Sequence, residues 1–163
     1  MERKYAWHDY TKTDLAELDM LCRNYMNFLD NGKTERECVI QAVALAEMKG
    51  YRNLDDILKA GEEIKPGDKI YAVQMKKTIA LFNIGTEPIE DGMNLLGAHI
   101  DSPRLDLKAN PVHEQEGVVY FRTHYYGGIK KYEGNGITLA VIGVVYAEDG
   151  GTEEVNMGAS DSG

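Results

Sequence analysis

Near Ile70 the spacing of apolar residues changes period, and this constrains the fold more than any other feature of the chain. Before that point Leu15, Leu18, Leu21, Tyr25, Phe28 and Leu29 recur at three- and four-residue steps, which places them on one face of a helix. Asp30-Asn31-Gly32 is predicted to end that helix, because Asn and Gly tolerate the left-handed conformation common at a C-terminus. Thr34 and Glu37 form a capping box that starts a second helix through Val39, Val43 and Ala46, and Gly50 stops it. After that point the runs are short and strand-like. Lys69–Val73 and Thr78–Ile84 read as two strands joined by a bend at Met75-Lys76-Lys77. Met93–Asp101 is apolar on both faces until His99, the pattern of a central strand covered by helices. Further strands are expected at Val118–Tyr125, Ile137–Tyr146 and Glu153–Met157, separated by Gly-rich turns. The expected fold is therefore α/β, with N-terminal helices followed by a mixed β-sheet and then a β-rich region. The tail from Gly158 is small and polar, with nothing to anchor it.

The chain has 163 residues, enough for one domain or for one domain and part of another. Its formal charge of −9 repels a phosphate backbone, so nucleic acid is not an expected partner. Cys22 and Cys38 lack C-x-x-C spacing and read as small core residues in a reducing compartment. The first residues carry no apolar leader and no run reaches membrane-spanning length. A cytoplasmic location without membrane attachment is the expectation.

His99 and Asp101 are the residues most suggestive of chemistry. Side chains two apart in a strand point the same way, so the pair is expected on one face at a strand end. Open α/β sheets place their ligands there. A neutral imidazole is a good zinc ligand, and a neighbouring carboxylate can orient its ring and raise its basicity. The spacing alone leaves two readings open: a metal ligand with its partner, or a hydrogen-bonded structural histidine. His8, His113 and His124 form no H-E-x-x-H or comparable cluster. Glu62-Glu63 lies upstream in a loop and Glu153-Glu154 follows a Gly-Gly turn, so both read as solvated charge.

The words around the pair narrow the choice. GAHIDSPRLDLKANP resembles the signature of the aminopeptidase I / aspartyl aminopeptidase family of zinc metallopeptidases. THYYGGIKKY, the early AW, and GKTERE before the second helix are similar to its bacterial members in the same order, over roughly residues 5 to 132. The resemblance implies a cytoplasmic zinc aminopeptidase that removes residues from peptide N-termini. It makes His99 a ligand to one of two zinc ions and Asp101 the catalytic carboxylate that orients it. Residues 1–101 would be the N-terminal part of the catalytic domain. Residues 102–163 would begin a β-rich insertion used for homo-oligomer contacts.

Family enzymes are well over twice as long, and their bridging Asp, Glu-Glu pair, further Asp and final His come later in the chain. The isolated chain is accordingly expected to be inactive, with a natural truncation or an engineered piece as explanations. A non-catalytic fragment or an assembly or binding module that keeps the fold is the alternative reading. After Tyr132 the pattern departs from the bacterial one. Glu133-Gly134-Asn135-Gly136 stands where a Trp is expected, and the chain's Trp is Trp7. That departure fits a divergent, truncated or re-engineered segment and puts the oligomer interface in question.

Overall fold

The computed structural model describes residues 5–130, 132 and 134–158. Two compact units divide between Asp101 and Ser102.

In the first unit, α1 (Lys12–Asn31) begins at a capping box that the sequence reading did not identify. Thr11 Oγ1 accepts from the Asp14 amide, and the Asp14 carboxylate accepts from the Thr11 amide. The foreseen box at Thr34 and Glu37 opens α2 (Glu35–Met48) with the same reciprocal bonds. Each box satisfies amides that the first turn leaves without partners. Thr34→Ala removes one acceptor and is expected to lower stability by about 1 kcal/mol, measurable as a shift in urea midpoint at unchanged slope.

The corner between these helices corrects one expectation. Gly32 follows α1 at φ −118°, which is not left-handed. Its glycine is needed for space: a Cβ would lie 2.9 Å from Phe28 O and from Gln41 Nε2, and 3.0 Å from Cys38 Sγ. The close approach lets Gln41 donate to Phe28 O and Cys38 donate to Gly32 O. Cys38 is buried as expected, whereas Cys22 is exposed on α1. Burial pushes the Cys38 thiol pKa up, and Glu37 and Glu35 add to the effect. Because the thiolate is the reactive form, a thiol reagent near neutral pH should label the native chain once, at Cys22, and twice in denaturant. Rapid labelling of Cys38 in the folded chain would contradict this packing.

Beyond α2 come β1 (Arg52–Asn53), α3 (Leu54–Ala60), β2 (Lys69–Gln74) and β3 (Thr78–Asn83). The sheet order is β1-β2-β3, parallel in the first pair and antiparallel in the second, so the sheet is mixed. Met75, Lys76 and Lys77 connect β2 to β3, the first two with φ of 53° and 54°, the left-handed conformation that a tight hairpin connection uses. Arg36 of α2 donates to the Met75 carbonyl at 3.1 Å. The buried apolar side chains among the described residues are Cys38, Val39, Ala46, Ile57, Ile70 and Tyr71. The core of this unit thus lies where α2 and α3 meet β2. Most of the α1 stripe stays outside it: Leu15, Leu21, Tyr25 and Leu29 are exposed, with Leu18 and Phe28 partly covered.

The expected central strand at Met93–Asp101 does not form. No ladder pairs these residues, and Leu95 and Leu96 are 85% and 98% exposed. A central strand needs hydrogen-bonding neighbours on both edges, and the described residues supply none here. The apolar pattern records a demand for burial without saying which residues meet it.

The second unit is built from hairpins. β4 (Arg104–Gln115) and β5 (Val118–Tyr126) pair antiparallel, turning at Glu116-Gly117 with φ of 54° and 76°. Their register shifts between Leu107 and Val112, which accommodates Pro111, a residue with no amide for the ladder. β6 (Val141–Tyr146) and β7 (Thr152–Met157) form the second pair. The strand expected from Ile137 therefore begins four residues later. The architecture is α/β, with helices, a mixed sheet and then antiparallel hairpins.

Candidate metal centre

Gly97 to Asp101 run without ladder partners, so His99 and Asp101 do not meet through the alternation of a paired strand. They meet through a local contact. His99 Nδ1 lies 3.1 Å from the Asp101 carbonyl oxygen and 3.3 Å from Asp101 Oδ1. Two acceptors on one ring nitrogen favour the tautomer with hydrogen on Nδ1, which leaves the lone pair on Nε2. The imidazole is 84% exposed and the carboxylate 33%. This arrangement offers a metal one oriented nitrogen.

The remaining sequence candidates make contacts of their own. In the second unit, His124 stands across from Asp106, with Nε2 3.7 Å from Oδ2, and Asp106 is already held by Arg104 at 2.7 Å. Arg104 also lies over the Tyr126 ring, 4.4 Å from its centre. His113 stacks on Tyr120 at 5.3 Å, and its Nδ1 is buried without a hydrogen bond. Glu62 is paired with Arg52 at 2.6 Å, and Glu153 and Glu154 sit exposed on β7. Among the described residues, no three His, Cys, Asp or Glu side chains converge as a metal site would require.

Sequence reading missed a polar cleft of about 390 Å³ in the first unit, lined by Glu47, Arg52, Asp56, Ile57, Glu62 and Tyr71 among others. The buried Tyr71 hydroxyl donates to Glu47 Oε1 at 2.7 Å. That bond, with burial, raises the Tyr71 pKa. Glu47 and Tyr71 come from different elements, so nothing local in the sequence announces them.

Comparison with known proteins places the chain as a whole among the zinc metalloproteases. The family model of aminopeptidase I zinc metalloproteases, M18, matches residues 28–161, and the chain belongs to that family. A probable M18 family aminopeptidase 1 of Clostridium acetobutylicum is 48% identical over 161 residues, covering 99% of this chain and 35% of that protein. Its counterpart from Thermotoga maritima is 40% identical, covering 97% and 33%. The chain thus spans about a third of the length of the curated relatives it matches. Crystal structures agree. Aminopeptidase I from Borrelia burgdorferi B31 superposes with a TM-score of 0.87 at 34% identity, over 98% of this chain and 38% of that one. The Clostridium acetobutylicum enzyme gives 0.82 at 48% identity, over 99% and 36%. The match continues past Tyr132, so the missing Trp there does not mark the end of family-like sequence.

Proposed function

We propose that this chain carries the first metal-binding segment of a cytoplasmic zinc aminopeptidase that removes residues from peptide N-termini. The contact of His99 Nδ1 with Asp101 carries the reading, because it fixes the ring and turns Nε2 into the metal-facing donor. In the complete site His99 would hold one of two zinc ions and Asp101 would keep the imidazole oriented and basic. When bound, zinc lowers the pKa of a coordinated water and polarises the scissile carbonyl. The described residues fit the group as a contributor, with one nitrogen where a catalytic zinc takes about three protein ligands. Residues 1–101 are assigned to the catalytic domain. Residues 102–163 are assigned to the start of the β-rich insertion through which the complete enzyme forms homo-oligomers. No helix of the described residues is long and apolar enough to cross a membrane.

A second reading, a non-catalytic fragment or an assembly module, draws on the uncovered Met93, Leu95 and Leu96 beside the ligand pair. Zinc titration by calorimetry separates the two uses of His99. On the proposed reading the 163-residue chain binds zinc weakly, and His99→Ala abolishes the heat, since one imidazole gives little affinity. A tight site that survives His99→Ala would place the ligands elsewhere and overturn the assignment.

A further inference from the structure

We draw no further inference here: the strongest candidate, the open cleft among the end of α2, β1, α3 and β2, already pairs Tyr71 with Glu47, Arg52 with Glu62 and Asp56 with Lys59, and nothing that remains in it points to a ligand.

Discussion

Assayed by itself against chromogenic Leu, Asp and Glu substrates with zinc, cobalt or manganese, the 163-residue chain is expected to show no metal-dependent turnover. Hydrolysis at neutral pH needs a metal-bound water and a base to take its proton. A metal held tightly enough to do this has about three protein ligands and an open position. The described residues offer His99 with Asp101 and no third donor near them. Two carboxylates near the sequence candidates are already committed to ion pairs: Glu62 to Arg52, and Asp106 to Arg104. The expected deficit against a family-length enzyme is therefore the whole catalysed rate, not a fraction of it. Turnover that survives repurification, and is lost with chelator and regained with metal, would show that this chain assembles a working site.

What the sequence revealed depended on how local the cause was. The Thr34–Glu37 box and the Met75-Lys76 bend are set by residues within a few positions, and both appear where expected. The short helix at Leu54–Ala60 was missed because seven residues hold too little periodicity to register. β4 was missed because Pro103 and Pro111 frame and interrupt it, and only the pairing with β5 reveals that a shift in register absorbs Pro111. Met93–Asp101 failed in the opposite way. Its composition is that of a central strand, but strand formation depends on neighbours distant in sequence, and none lie among the described residues. Gly32 was placed correctly for the wrong reason. Its role is the approach of Gln41 and Cys38 from the next helix, which helix-end statistics do not contain. The candidate site shows the same division. Spacing left His99 with two readings, whereas the ordered words around it pointed to the family that the wider match establishes.

Asp101→Asn, placed in a family-length enzyme carrying this segment, is expected to lower kcat or zinc content by about 10- to 100-fold, the usual cost of removing a partner that orients a metal ligand. The geometry divides the effect of Asp101 into two parts. Its backbone carbonyl lies 3.1 Å from His99 Nδ1 and survives the substitution, so the ring keeps one acceptor and its tautomer. Its carboxylate oxygen lies 3.3 Å from the same nitrogen, and Asn removes that negative charge while keeping the shape. The imidazole should stay in place and become a poorer donor at Nε2. Because the loss acts through the metal, KM should move less than kcat, as for an interaction that matters most in the transition state. Measuring kcat, KM and bound zinc on the same preparations separates the alternatives. A rise in KM alone, with kcat and zinc held, would make Asp101 a substrate contact instead of a ligand partner. No change in any of the three would remove the pair from the site altogether, and with it the main residue-level support for the aminopeptidase reading.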